Sequence, residues 1–185
     1  MRLSAQQRRE QLLDVTKRIV VNSGFHAVSI EAVAREAGIT RPIVYGHFGD
    51  LAGLLDALVD RESARALAQL ESVLPPADLH AALRGYLEAV RADPDTWRLV
   101  LMPQEGAPQT LHDRIARGRA AVVARLSHSL RPGLGDEPPD PELVARMLSA
   151  YADEAARLLL TDPERYGLER LLALSRWLLG RLALV

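Results

Sequence analysis

Side chains that do covalent, acid–base or metal chemistry are thinly spread in this 185-residue chain. It has no cysteine, and its five histidines lie scattered without the spacing of metal ligands. No Ser–His–Asp or Cys–His order in a recognisable context is present, and no glycine-rich loop follows a strand. The sequence therefore gives no expectation of catalysis, of a metal centre or of a cofactor. Lack of cysteine also removes a disulfide framework and fits a reducing cytoplasm. Polar residues with recognisable placement gather instead in SIEAVAREAGITRPIVYGHF, residues 29–48, which holds Ser29, Thr40, Arg41, Tyr45 and His47.

The elements that would position these residues follow from local rules. Ser29 is a natural N-cap, and Glu31 falls in the first turn, where the helix dipole favours an acid. Val33, Ala34 and Ala37 make the inner stripe of a short helix that Gly38 can end in a left-handed conformation. Thr40 is placed to cap a second short helix, with Pro42 in the first turn, where no amide is needed. Small Ala34, turn Gly38 and apolar Ile39 and Val44 match the packing of a helix-turn-helix, although a generic pair of short helices would show much of the same pattern.

The longer run RREQLLDVTKRIVVNSGFHAVSIEAVAREAGITRPIVYGHFGDLAGLL, residues 8–55, resembles the DNA-binding domain of the tetracycline-repressor (TetR) family. It has a first helix ending at Gly24 and Phe25, a capped helix, the Ala-Gly-Ile turn, the Tyr45-x-His47-Phe48 signature and a long helix opening with Leu54 and Leu55. The resemblance implies that the second short helix enters the major groove. Thr40, Tyr45 and His47 match phosphate-holding positions, Ser29 adds a phosphate contact to its cap, and such contacts fix register without reading sequence. Arg41, Pro42, Ile43 and Gly46 match base-facing positions. Only Arg41 among them has donors, so it is expected to read guanine O6 and N7, worth about 1–3 kcal/mol of discrimination. Two residues depart from the pattern: Leu51 stands where members often carry a phosphate-binding Lys, and Glu31 stands where some members reach a base. Phe48 reads as a core aromatic, and core packing is the alternative for Tyr45.

The rest of the chain reads as helix. Apolar residues recur at three- and four-residue spacing and never alternate over a run, and aromatics are 4% of the chain. Helices are expected near 5–22, 29–37, 41–46, 51–73, 78–92, 95–102, 108–131, 140–161 and 167–183, with a mobile loop at 131–141. The expected fold is all-α, about nine helices. Residues 1–50 form a three-helix helix-turn-helix DNA-binding domain, and residues 51–185 form a larger helical effector-binding and dimerisation domain. No apolar stretch is long enough for a bilayer and the N-terminus lacks the apolar run of a signal peptide, so a cytoplasmic protein without membrane contact is expected. The net charge of −1 hides a polarity: residues 1–48 hold seven basic against four acidic side chains.

The helix at 140–161 shows two apolar stripes at about 100° per residue. Leu143, Met147, Ala150, Tyr151 and Leu158 form one, and Val144, Leu148, Ala152, Ala155 and Leu159 the other. Glu142, Arg146, Ser149, Asp153 and Arg157 are left for water. The last helix presents a core stripe from Leu168 to Leu182, with Trp177 turned away. A homodimer is expected through Val144, Leu148, Ala152, Ala155, Leu159, Leu174 and Trp177. Effector-binding candidates are Tyr86, Trp97, Met102, His112, Met147, Tyr151 and Glu154. Glu154 falls inside the first apolar stripe, where a carboxylate must be paired with an arginine or used on a ligand.

The family resemblance implies a ligand-responsive transcriptional regulator, a repressor. It would bind double-stranded palindromic operator DNA as a dimer, with half-sites about 34–36 Å apart, and be released by a small-molecule effector acting through the helix at 51–73. The alternative is a TetR-like adaptor or coactivator that binds a protein partner instead of DNA. Arg41 with Thr40, Tyr45 and His47 on an uncrowded basic face favours DNA, whereas a face dominated by acids such as Glu31 favours the adaptor.

Overall fold

The computed structural model describes residues 3–71, 78–102, 106–130 and 140–181, and among these the regular elements are helical. In chain order they are α1 (Ala5–Ser23), a 3-10 turn (Phe25–Ala27), α2 (Ile30–Glu36), α3 (Arg41–Phe48), α4 (Leu51–Glu71), α5 (Leu79–Ala92), α6 (Pro94–Leu101), α7 (Gln109–Leu130), α8 (Pro141–Thr161) and α9 (Leu168–Arg181). The all-α expectation holds. Most of the loop at 131–141, and Leu182, lie outside the described residues.

Local chemistry sets the starts. Ser4 and Gln7 form a reciprocal capping box on α1. The Asp-Pro pairs at 93–94 and 140–141 each place an acceptor on the first free amides and a proline where its missing N–H is harmless: Asp93 Oδ1 accepts from Thr96 N at 3.4 Å and Asp140 Oδ1 from Glu142 N at 3.0 Å.

Two main apolar cores result. The first joins Leu12 and Val15 of α1, Val33 of α2, Val44 of α3 and Leu54 and Leu58 of α4, and runs on to Leu99 of α6 and Leu111 of α7. The second joins Leu87 and Val90 of α5, Trp97 of α6, Ala156 and Leu159 of α8 and Leu172 of α9. Long α4 contributes to both, Ala66 standing in the second.

Between the cores lies a buried ionic cluster. Of the 23 basic residues the only lysine is Lys17. Its ammonium, on α1, donates to Glu62 Oε2 on α4 at 2.9 Å, to Asp93 Oδ1 at 3.2 Å and to Thr96 Oγ1 on α6 at 2.7 Å. Thr96 Oγ1 lies 2.5 Å from Glu62 Oε2. Arg61 reaches Glu62 at 2.8 Å and, back on α1, Asp14 at 2.8 Å and Glu10 at 3.1 Å. A compact ammonium with three donors suits three converging oxygens, where a planar guanidinium would not. Burial alone would raise the carboxyl of Glu62, but the Thr96 and Lys17 hydrogen bonds and the Lys17 and Arg61 charges outweigh it and hold the group below its ordinary range. Asp93 is lowered in the same way, by Thr96 and Lys17 against its own burial.

The two stripes of α8 exchange roles relative to expectation. Ala155 and Leu159 are buried and Val144, Leu148 and Ala152 are half-buried against the chain's own interior, so these five pack inward. The outward stripe is Leu143, Met147, Ala150 and Glu154. Periodicity shows that a helix is apolar on two sides but cannot say which side its own chain covers. Ser149 and Asp153, expected in water, are respectively buried and half-buried. On α9 Leu174 and Trp177 do face outward, with the Arg181 guanidinium 5.7 Å from the Trp177 ring.

Candidate nucleic-acid interface and cavity

Ser29 Oγ accepts from Ala32 N at 3.1 Å and so starts α2. Gly38, at φ +66°, turns the chain, and Ile39 N closes the turn on Ala34 O at 3.0 Å. Val44, wholly buried, anchors α3. Thr40 occupies the N-cap position of α3, yet its hydroxyl makes no capping bond, contrary to expectation, and stays available for another partner. Gly53 fixes the distance from α3 to α4: a Cβ there would stand 2.2 Å from the Phe48 carbonyl oxygen.

The outward side of α3 carries Arg41, Pro42, Ile43, Tyr45 and Gly46, all exposed, with Thr40 exposed before it and His47 half-buried at its end. Tyr45 is 47% exposed, which excludes the core reading for that ring. Phe48 is half-buried against the first core, with the Arg9 guanidinium 4.6 Å from its ring centre. Arg9 also donates to the His47 carbonyl at 3.2 Å, so α1 holds the far end of α3. Gly46 meets nothing within 4 Å where a Cβ would stand and leaves open space on the face. Leu51 packs half-buried on the first core, the alternative to a charged residue at that position.

Arg41 is not alone. Its Nη1 donates to Glu31 Oε1 at 2.7 Å with both side chains exposed. The bond to its own backbone amide, and then the Arg41 partner, hold the Glu31 carboxyl below its ordinary range. The acid therefore neither dominates the face nor repels freely; it holds the Arg41 guanidinium in place on that face.

A cavity of about 170 Å³ opens between α4 to α9. It brings together Tyr86, Trp97 and Tyr151 of the expected effector set. Met102 (exposed beyond the end of α6), His112 (exposed in the first turn of α7) and Met147 (on the outward stripe of α8) are not on its wall. Glu154 is also excluded and is not buried: it is exposed on the same outward stripe and bonds Arg157 Nη1 at 3.1 Å. Most of the wall escaped the sequence reading, including the polar residues Ser63 of α4, Arg114 and Arg119 of α7, Asp153 of α8 and Ser175 of α9. Among the described residues no three His, Asp or Glu side chains are grouped to hold a metal ion, and no helix is long and apolar enough to cross a membrane.

Comparisons agree with this geometry. Residues 12–58 match the domain described as "Bacterial regulatory proteins, tetR family". The HTH-type transcriptional activator FasR of Mycolicibacterium smegmatis is 27% identical over 104 residues, 54% of this chain and 48% of that protein, so the match spans about half of that relative. A TetR-like transcriptional regulator from Rhodococcus sp. RHA1 has the same fold, with a TM-score of 0.76 at 24% identity over 94% of this chain and 93% of that one. A structure of SmeT with triclosan superposes with a TM-score of 0.70 at 25% identity, over 88% and 85% of the two chains.

Proposed function

We propose that the chain, whose residues 12–58 match the tetR family of bacterial regulatory proteins, is a transcriptional regulator of that kind and not an enzyme, acting in the cytoplasm as a homodimeric, effector-released repressor of a palindromic operator. The observation that carries the proposal is the outward face of α3, with Thr40, Arg41, Tyr45 and His47 on a helix anchored by Val44. In it Thr40, Tyr45, His47 and Ser29 hold phosphates, Arg41 reads guanine, and Pro42, Ile43 and Gly46 face bases. An adaptor role is not taken up, because Glu31 is held by Arg41 and does not dominate the face.

The proposed division of labour sets residues 1–50 to DNA and 51–185 to effector and partner. Dimerisation uses the outward faces of α8 and α9, where Leu143, Met147, Leu174 and Trp177 are exposed. Large apolar side chains left exposed on two neighbouring elements of the sequence support a contact surface there. The effector occupies the cavity. Its wall includes Ser63 and Trp97, the chain neighbours of Glu62 and Thr96 in the ionic cluster that grips α1 through Lys17. A ligand that moves α4 or α6 thereby shifts the DNA-reading helices. A coupling of about 1–3 kcal/mol weakens operator binding by about 5- to 150-fold, and DNA weakens the ligand equally. SmeT, similar in fold, is seen with triclosan, which supports a small organic effector here. FasR is named an activator, so transcription from the target promoter, measured with and without the protein, tests the sign.

The role assignments are tested with DNA from upstream of the gene and a random duplex. Arg41→Ala should lose affinity mainly on the specific fragment, and Tyr45→Phe on both alike. Equal loss on both fragments for Arg41→Ala would refute the base-reading role.

A further inference from the structure

The cavity wall constrains what the proposed effector can be, an inference that rests on the effector reading above. Every charged group on the wall is matched within the chain. Asp153 Oδ2 accepts from Arg119 at 2.6 and 3.1 Å, and its other oxygen lies 3.4 Å from the Tyr86 hydroxyl. Arg114 is paired with Asp60. A charged ligand would have to leave water for a wall without a spare counter-charge, which is unfavourable.

The hydroxyls tell the opposite story. Ser63 Oγ, Tyr151 Oη and Ser175 Oγ are buried and make no hydrogen bond of normal length, Tyr151 and Ser175 having only a loose approach to each other. Ser175 is 1% exposed. Buried polar atoms are almost always satisfied, so three such atoms on one cavity wall mark where a bound polar group is received. Tyr151 of α8 and Ser175 of α9 lie side by side: burial pushes the Tyr151 phenol up, and the neighbouring Ser175 hydroxyl offsets part of that. Opposite in character, Tyr86 and Trp97 meet edge to face with ring centres 5.1 Å apart and offer an aromatic surface. The volume, about 170 Å³, is near that of an engineered apolar cavity of about 150 Å³ that takes up benzene.

We propose that the cavity binds an uncharged single-ring phenol or aromatic alcohol with a short alkyl substituent, its ring against Tyr86 and Trp97 and its hydroxyl between Tyr151 and Ser175. The ligand hydroxyl donates to one protein oxygen and accepts from the other, which a headless hydrocarbon cannot do.

The test uses four probes of one shape: 4-propylphenol, propylbenzene, 4-propylbenzoate and 4-propylbenzylamine. The chain has two tryptophans. Replacing exposed Trp177 by Phe leaves Trp97, on the cavity wall, as the fluorescent reporter. Saturable quenching by 4-propylphenol is expected, with a Kd at least tenfold below that of propylbenzene and no saturation by either charged probe over the same range. In the double variant Tyr151→Phe, Ser175→Ala, phenol affinity should fall to within twofold of propylbenzene. Propylbenzene itself should bind as before, which shows that the cavity still folds. Tighter binding of a charged probe, a phenol preference that survives the double variant, or no saturation by any probe would overturn the proposal. Operator binding is measured with the same probes on the wild-type chain and on Tyr151→Phe, Ser175→Ala alone, both keeping Trp177 in the proposed dimer contact. Phenol binding without release of DNA supports this ligand class and refutes the effector reading. Intact DNA binding with an unresponsive cavity does the reverse to the ligand class and leaves DNA reading standing.

Discussion

Replacing Lys17 by Met removes the one ammonium that ties α1 to α4 and α6. The buried carboxylate of Glu62, 2% exposed, then loses a 2.9 Å partner, and Asp93 and Thr96 each lose the Lys17 bond while keeping each other. Breaking a buried ion pair on one side costs about 3–5 kcal/mol, because the remaining charge is left uncompensated. Glu62 keeps Arg61 at 2.8 Å and the Thr96 hydroxyl, which places the loss at the lower end, about 3 kcal/mol. For a chain of this length that is a fall in Tm of about 6–12 °C. Circular dichroism at fixed protein concentration reads it, since the proposed dimer would make Tm concentration-dependent. The sign with pH follows from the depressed carboxyls. Their stabilisation is fully present above the ordinary Glu value of 4.5 and is lost as pH falls through the lower folded-state values. Wild type should therefore lose stability steeply below about pH 4.5, and Lys17→Met should show a shallower acid limb. A Tm change under about 2 °C, or an acid limb identical to wild type, would refute the claim that this cluster holds the two parts of the chain together.

Gly53→Ala should destabilise by about 1–3 kcal/mol and weaken DNA binding, because the new methyl must push α3 from α4; chemical denaturation and anisotropy measure both, and unchanged values would mean that the helices separate freely. Trp177→Arg or Leu174→Glu should give monomers in sedimentation, with strongly weakened operator binding, whereas Glu154→Gln should change neither dimerisation nor Tm appreciably, since that side chain is exposed. Glu31→Ala should leave Tm within about 1 °C and alter which base is preferred opposite Arg41, since only the orientation of an exposed guanidinium changes; an unaltered base preference in a binding-site selection would show that the pair plays no part in readout.

Helix number, order and ends were legible because caps, prolines and three-to-four-residue spacing are local. Ser29 and the Gly38 turn say the same thing in sequence and in space. Arg41 and Tyr45 were legible as exposed because Val33, Ala34 and Val44 already fixed the inner side of that unit. The α8 faces were not, since two apolar stripes on one helix look alike until its neighbours are placed. Glu154 followed the wrong stripe outward, and Asp153, given to water, became the acid of the cavity wall. The Lys17 cluster joins residues 76 and 79 positions apart in the chain, a pairing no local pattern signals. Its one trace in the sequence is that a chain otherwise using arginine keeps a single lysine.

The claim that α3 is a DNA-reading helix in a two-fold dimer is tested most directly by selecting binding sites from a pool of random duplexes with the full chain. The account predicts enrichment of one inverted repeat whose half-sites lie about one helical turn apart, 34–36 Å, each containing a guanine whose preference disappears with Arg41→Ala. No enriched sequence from a folded dimer, or an enriched site that Arg41→Ala selects equally well, would contradict it.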